Sequence, residues 1–431
     1  MSTAVVLGAS MGGLLAARAL AGLHDEVVVL DRDALPPGPD HRRGVPQGRH
    51  FHTLLPRGVQ ALDAMFPGLS ERLVEEGSPR ADFAGAHLVL GGHEFARADV
   101  GVPAVQVPRP VLERAVRERV ADLPGVEVRT GCEAVGLVSE RGRVTGARVV
   151  RDGVERVLAA DLVVDATGRG GRAATWLGAL GHPAPVEERI EVDAAYVSRL
   201  VRLTEPFPDH LVLVGPAPAR PTGFALAKHG GDRWMLTAVG VGGVHPPVDE
   251  RGHLEFVRRA APPSVFRAIE SASPLTEPLL HRFPTSLRRR YERLRDFPLG
   301  LLVFGDALCS FNPIYGQGMT VAALEAEALR RCLRAGEGDL AGRFFRAAAR
   351  IVDPVWLLNA LGDLALPQVA GHRSPSTRLL NRYVARVQRA AAHDPRVARM
   401  FIRVTGLLDP PTALFRPDVA ARVAVGRSRR A

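Results

Sequence analysis

The chain has one lysine, three cysteines and few aromatic residues, and each scarcity removes a class of protein. Lys228 is the only lysine, so the formal charge of +10 comes from arginines scattered along all 431 residues. A nucleic-acid binder would gather its basic residues into a stripe on a recognisable motif, and none is visible. The arginine bias reads as coding composition, and the Arg427–Arg430 tail as a solvated terminus. Cys132, Cys309 and Cys332 are odd in number and lack metal-ligand spacing, which fits reduced thiols in a cytoplasmic protein. No apolar run reaches the roughly 18 residues that a membrane-spanning helix needs. The first residues also lack the basic stretch and apolar core of a secretory signal.

What is present is ordinary globular composition, 46% hydrophobic and 24% charged. A chain this long exceeds one hydrophobic core, so two closely associated domains are expected. Ala4–Leu7 reads as a short apolar strand, then a Gly-rich turn, a helix from about Gly12 to Leu23, and a second buried strand, Glu26–Leu30. Asp33–Arg57 turns polar and rich in Pro, Gly, Arg and His, and a long irregular loop beside such a unit is usually functional. Helical spacing of Val111, Leu112, Ala115, Val116 and Val120 predicts an amphipathic helix over Arg109–Leu123. Strands follow at Val126–Arg129, Ala134–Ser139, Val144–Val150 and Leu162–Val164. Alternation across Ile190–Gly243 predicts an antiparallel sheet. Leu301–Phe304 returns to the pattern of a buried parallel strand, and Met319–Arg334 to a helix. Beyond Gly342 the pattern is helical, with breaks expected at Pro354, Pro367 and Pro410.

Three segments carry chemistry. Gly8-x-Ser10-x-x-Gly13 lies between strand and helix, where Gly8 permits the tight turn and Gly13 lets helix pack on strand. The N–H groups around Met11 and Gly12 would point at a pyrophosphate, aided by the helix dipole. Asp31 ends the second strand where a carboxylate accepts hydrogen bonds from an adenosine ribose. The second segment is Asp165-Ala-Thr-Gly168, after the strand Leu162–Val164. The third is Gly305-Asp306, running on through Asn312, Pro313, Tyr315, Gly316, Gln317, Gly318 and Met319. Acidic residues at the carboxyl ends of buried strands suit a ligand lying across one sheet edge. Asp306 could bond the sugar-alcohol chain of a flavin, and the helix opening at Gly316–Gly318 could stabilise negative charge on a reduced flavin ring. Either aspartate could instead cap a helix. His50 and His52, one residue apart with no carboxylate or cysteine cluster nearby, fit hydrogen bonding or packing better than a metal site. No catalytic side chain stands out, and no Ser-His-Asp signature is present.

Taken together, Gly8–Gly13, Asp31-Arg32, Arg109, Asp165–Gly168 and Gly305-Asp306 with Pro313 and Gly316–Gly318 resemble the class A flavoprotein monooxygenases, typified by para-hydroxybenzoate hydroxylase. The stretch Arg42–His50 with Asn312–Gly316 looks closer to a branch containing the olefin epoxidases of polyether biosynthesis. The resemblance implies an α/β fold: a Rossmann-like FAD-binding domain, an interleaved antiparallel-sheet substrate domain and a helical C-terminal region. The corresponding boundaries are 1–180, 181–295, 296–341 and 342–431. It implies non-covalent FAD, NAD(P)H as reductant and O2, with the loop Arg43-Gly44-Val45 beside the flavin ring. Arg109 would contact the cofactor's ribityl or phosphate region, and Arg32 and Arg43 would lie near adenosine and pyrophosphate.

In family terms a flavin C4a-hydroperoxide delivers one oxygen atom to an aromatic ring or alkene. Little acid–base help is then needed from side chains. A flavin dehydrogenase or reductase of the same fold, moving hydride without inserting oxygen, is the alternative. A halogenase fits less well, because no Gly-Trp-x-Trp-x-Ile-Pro signature is present and Lys228 is far in sequence from the first turn. The apolar cluster Trp356, Leu357, Leu358, Leu361, Leu364 and Leu366 either walls a cavity suited to a large apolar substrate or packs the C-terminal helices onto the core. Oligomeric state and substrate identity have no signal in the sequence.

Overall fold

Val, Leu and Ala runs of three to five residues, too short and too apolar for surface helices, form the buried strands of a parallel sheet, with the half-exposed Val126–Arg129 at one edge. In the computed structural model, which describes residues 1–336 and 338–425, this sheet has five strands. Their order is Leu301–Val303, Leu162–Asp165, Thr3–Leu7, Glu26–Leu30 and Val126–Arg129, every neighbour parallel. The chain moves outward from Thr3–Leu7 in one direction through Glu26–Leu30 and Val126–Arg129. It then returns to the other side for Leu162–Asp165. The crevice at that reversal, between Thr3–Leu7 and Leu162–Asp165, is where open α/β sheets hold ligands. The helix Met11–Leu20 packs on the sheet and buries Leu14, Leu15, Ala17 and Leu20. The tail from Arg427 lies outside the described residues.

A three-stranded antiparallel sheet joins Cys132–Glu140, Arg143–Arg151 and Val154–Ala159, the last a strand that the sequence pattern does not announce. The larger sheet is built on Glu187–Arg202, Thr222–Gly230 and Arg233–Gly240, which pair antiparallel as expected. It also takes in Leu279–Arg289 and, by one parallel pairing with Leu211–Val214, the distant strand Ala86–Leu90. The fold is therefore mixed α/β with parallel and antiparallel sheets and a helical C-terminal region.

Pro354 does not break the chain. It sits inside one helix, Leu340–Leu364. Both Pro354 and Arg350, whose carbonyl loses its N–H partner, are on the exposed face. On the other face Phe344, Phe345, Ala348, Val352 and Trp356 are buried and hold the helix together. Pro367 and Pro410 do lie outside helices, just after Leu364 and before the turn Pro411–Phe415.

Candidate functional site

Four strand ends meet at the carboxyl edge of the parallel sheet. Gly8 follows the first strand at φ +102°, and a Cβ there would stand 2.6 Å from the Ala166 carbonyl oxygen across the reversal crevice. A Cβ on Gly13 would lie 1.7 Å from the Gly8 carbonyl oxygen, so only glycine lets this helix start against its own strand. Gly13 thereby packs the unit and does not reach the ligand space. Ser10, at the N-cap, makes no side-chain cap bond to the helix. The first-turn N–H groups have no intrahelical partner either, and Met11 and Gly12 line an open cavity.

Asp31 is held where the sequence places it. Its Oδ2 accepts the Ala9 N–H at 2.8 Å and its Oδ1 the Asp33 N–H at 2.9 Å. The arginine that answers it is Arg42. Its Nη1 lies 3.1 Å from both Asp31 and Asp33, and its Nε donates to Glu113 at 2.8 Å. Burial works to lower the Arg42 pKa, but Glu113 and Asp31 more than offset it and the guanidinium is held above its usual range. Glu113 accepts in turn from the Ser10 hydroxyl at 2.8 Å, and Arg109 donates to Ser10 Oγ at 2.9 Å and to Glu113 at 3.3 Å. Arg42 and Glu113 thus form a network that joins the Gly-rich turn, the second strand and the helix Arg109–Ala121. The sequence marks Arg42 only as the start of the stretch Arg42–His50 and does not mark Glu113, whose signal was its i,i+4 spacing to Arg109 on the face of the buried Leu112 and Val116.

The same cavity, about 1190 Å³, is lined by Gly8, Ser10, Met11, Gly12, Asp31, Arg32, Gly44 and Arg109. Gly168, Gly305, Asp306, Pro313, Gly316, Gln317, Gly318 and Met319 line it as well. The structure does not bring Arg43 or Val45 to this wall. Arg43 is exposed to solvent outside it and Val45 is buried behind it, because the neighbouring Arg42 turns inward to the carboxylates. Asp165 is also off the wall. Fully buried, it accepts the Thr167 N–H at 3.0 Å, the Thr167 hydroxyl at 2.5 Å and the Ala173 N–H at 3.1 Å, which ties its own loop to the helix Ala173–Ala179. Asp306 differs: its surface opens onto the cavity and, among the described residues, no side-chain bond occupies it. Burial within the protein raises its carboxyl above the usual range, with Arg109 and Arg169 opposing.

Two supports of the Asp306 loop come from elsewhere. Glu325, fully buried in the helix Gly318–Arg334, accepts the Gly305 N–H at 2.8 Å, and burial pushes its pKa up to about 8. Arg289 donates to the Ala307 carbonyl at 2.9 Å and pairs with Glu187 at 3.0 Å, fastening the larger sheet to the loop. The turn 312–318 is anchored by Tyr196, which donates to Asn312 at 2.7 Å, and by Asn312 and Tyr315, which donate to Asp363 at 2.9 and 3.0 Å. Burial raises Asp363 to about 6.

His50 bonds Ser198 at 2.8 Å and stands 5.4 Å from the His281 ring. Burial pushes His50 down to about 3 and His52 to about 4, so both are neutral at pH 7. Among the described residues no group of three His, Cys, Asp or Glu could hold a metal. Of the aromatic residues in the larger antiparallel sheet, Tyr196, Phe224 and Phe283 line the cavity and Trp234 packs instead against Phe207. Leu358, Leu361, Leu364 and Leu366 line it too, while Trp356 is in the core and Leu357 faces solvent.

The wall suits FAD on its own features. Arg42 Nη2 is buried without a hydrogen-bond partner, and a Cβ on Gly12 would meet nothing nearer than Phe304 at 3.9 Å. The volume exceeds the roughly 300–1,000 Å³ of a single ligand pocket, so a cofactor leaves room for a second molecule. A Gly-rich turn at a sheet reversal, an acidic second strand end and a third strand end open to the same space define a dinucleotide-binding flavoprotein. Residues 1–341 match the family described as FAD binding domain, and the chain belongs to that family. It is 35% identical over 432 residues to Protein Rv3254 of Mycobacterium tuberculosis, covering 94% of this chain and 90% of that one. The flavin-dependent brominase Bmp2 superposes with a TM-score of 0.71 at 17% identity, over 99% of this chain and 98% of its own. The p-nitrophenol 4-monooxygenase PnpA of Pseudomonas putida DLL-E4 does so at 0.69 and 17%, over 95% and 100%. The fold is the one these flavin-dependent enzymes share, and the cofactor of the family is FAD. Among the described residues no helix is long and apolar enough to cross a membrane.

Proposed function

We propose that the chain is a monooxygenase that uses NAD(P)H, O2 and non-covalently bound FAD to hydroxylate or epoxidise a large apolar substrate in secondary metabolism. One observation carries this. A single cavity runs from the Gly8–Gly12 turn past Asp306 and the Gly316–Gly318 turn into a chamber walled by Leu211, Leu213, Phe224, Val239, Leu361 and Phe401. When bound, FAD supplies the two-electron chemistry, taking hydride from NAD(P)H and activating O2 so that one oxygen atom reaches the substrate and the other leaves as water.

The protein's part is placement. Met11 and Gly12 N–H groups and Arg42 would hold the pyrophosphate, Asp31 the ribose, and Asp306 the polyol chain. The N-terminus of the helix Gly318–Arg334 would face developing negative charge on the ring. The apolar chamber excludes water and orients the substrate. The likeness of Arg42–His50 and Asn312–Gly316 to the polyether epoxidase branch supports epoxidation. The division at 180, 295 and 341 and a cytoplasmic setting belong to the same proposal. Lys228 is exposed and off the cavity wall, so nothing at the site supports halogenation.

Incubation with 18O2, NADPH and apolar polyketide or terpenoid candidates tests the reading. Product carrying one 18O is expected. Substrate-stimulated flavin turnover with desaturated or reduced product and no label would instead establish the hydride-transferring alternative.

A further inference from the structure

The helix Pro375–Ala391 has two different faces. Val387, Ala390 and Ala391 are buried among the C-terminal helices. The opposite face, at positions 377–378, 381–382, 384–385 and 388, forms part of the cavity wall, and these positions recur at one and two helical turns. That face has no acidic residue. It carries Arg378, Asn381, Arg382 and Gln388, whose side chains make no hydrogen bond or ion pair among the described residues. Arg378 and Arg382 stand one turn apart and are exposed, which places them where the wall meets solvent. Other arginines on the wall are occupied or alone. Arg42 and Arg109 are bound by carboxylates, Arg172 by Glu133, Arg169 by the Thr285 carbonyl and the Phe283 ring, and Arg373 by the carbonyls of Leu364, Leu366, Val369 and Gly371. Arg32 and Arg282 line it singly.

Two unpartnered guanidiniums at i and i+4, beside two amides, form a fork that matches a carboxylate or other oxyanion. The chamber they border has apolar walls at Leu211, Leu213, Phe224, Val239, Leu361 and Phe401. We infer that the substrate is an amphiphile, with an apolar body filling the chamber and an anionic group anchored by Arg378 and Arg382 at its rim. This rests on the reading that the chamber holds the substrate, and it names the class.

A matched pair of probes separates the two. Titrate 1-pyrenebutanoate and 1-pyrenebutanol, which differ only in carboxylate against hydroxyl, into the FAD-loaded protein by calorimetry. The carboxylate should bind about tenfold tighter, the gain of one charge-assisted hydrogen bond. That advantage should shrink in 0.5 M NaCl, because rim charges are screened. The double variant Arg378→Gln, Arg382→Gln should lose the advantage while keeping its flavin spectrum and its affinity for the alcohol. Equal binding of both probes to the unsubstituted protein overturns the anionic anchor but leaves the chamber standing. Failure of both probes to bind overturns the chamber and the inference with it. A raised KM for NADPH in the double variant, with the probe difference intact, assigns the arginines to the reductant and also overturns it.

Discussion

Replacing Arg42 with alanine tests whether the network under the Gly-rich turn holds the site together. The guanidinium side chain is 7% exposed and touches three carboxylates whose side chains are 8%, 12% and 6% exposed. Removing the one cation leaves Asp31 and Asp33 without a counter-ion and leaves Glu113 with Arg109 at 3.3 Å. Breaking a buried pair from one side costs about 3–5 kcal/mol, because the stranded charge stays desolvated. With an unfolding entropy of about 2.1 cal/mol/K per residue over 431 residues, each kcal/mol shifts Tm by roughly 1 °C, so a fall of about 3–6 °C is expected. FAD retention should fall with it, since Asp31 and the Ser10 turn lose their common tether. Thermal unfolding followed by tryptophan fluorescence, with and without added FAD, reads both effects. Arg42→Lys should recover only part, as one ammonium cannot reach Glu113 and Asp31 along the separate Nε and Nη1 directions. Arg42→Gln combined with Glu113→Gln should cost less than the sum of the two single changes. If Arg42→Ala unfolds at the parental temperature and holds FAD equally well, the network is ornamental and the reasoning fails.

Asp306→Ala should weaken FAD binding, by about 0.5–1.5 kcal/mol for one lost hydrogen bond, with little change in Tm. Asp165→Ala should do the reverse, since it strands two N–H donors and a hydroxyl inside the fold; equal effects of the pair on FAD titration would reject this separation. Glu325 ties stability to pH. Its folded pKa of about 8 lies above the unfolded value, so the folded chain keeps a proton that the unfolded chain releases. Stability should therefore fall as pH rises from about 4.5 through about 8, by roughly 1.4 kcal/mol per pH unit from this group. Glu325→Gln should remove that slope, and parallel denaturation curves of the two proteins between pH 5 and 8 would refute it. Pro354→Ala restores an N–H to the Arg350 carbonyl on an exposed face and should raise the melting temperature of the helical region, as interior proline costs about 3 kcal/mol; an unchanged or lower Tm would show that the proline's cost is absorbed by the packing.

Which of these residues the sequence could show depends on how local their reasons are. The first strand, the Gly turn and Asp31 lie within one β-α-β unit, where Gly8 crowds Gly13 and the Ala9 N–H meets Asp31, both fewer than thirty residues apart. Gly305-Asp306 is legible for the same reason, by strand end and helix start. Arg42 and Arg43 are not separable this way. They sit in a loop without periodicity, and only the position of Asp31, Asp33 and Glu113 in space decides which one turns inward. Asp165 fails for a different reason. A cofactor contact and a helix cap ask for the same residue type at the same strand end, so the choice depends on whether Thr167 and Ala173 N–H groups fold back to meet it. The parallel pairing of Ala86–Leu90 with Leu211–Val214 joins segments more than a hundred residues apart and has no local mark. Glu325 is the instructive case, because its signal was there. In the helix 318–334 it falls in phase with Val321, Ala322, Ala328 and Leu329, all buried, so helical spacing alone puts a carboxyl on the apolar face. A lone acid in that phase must either find a donor or keep its proton. The Gly305 N–H is that donor, and it lies at the strand end beside Asp306.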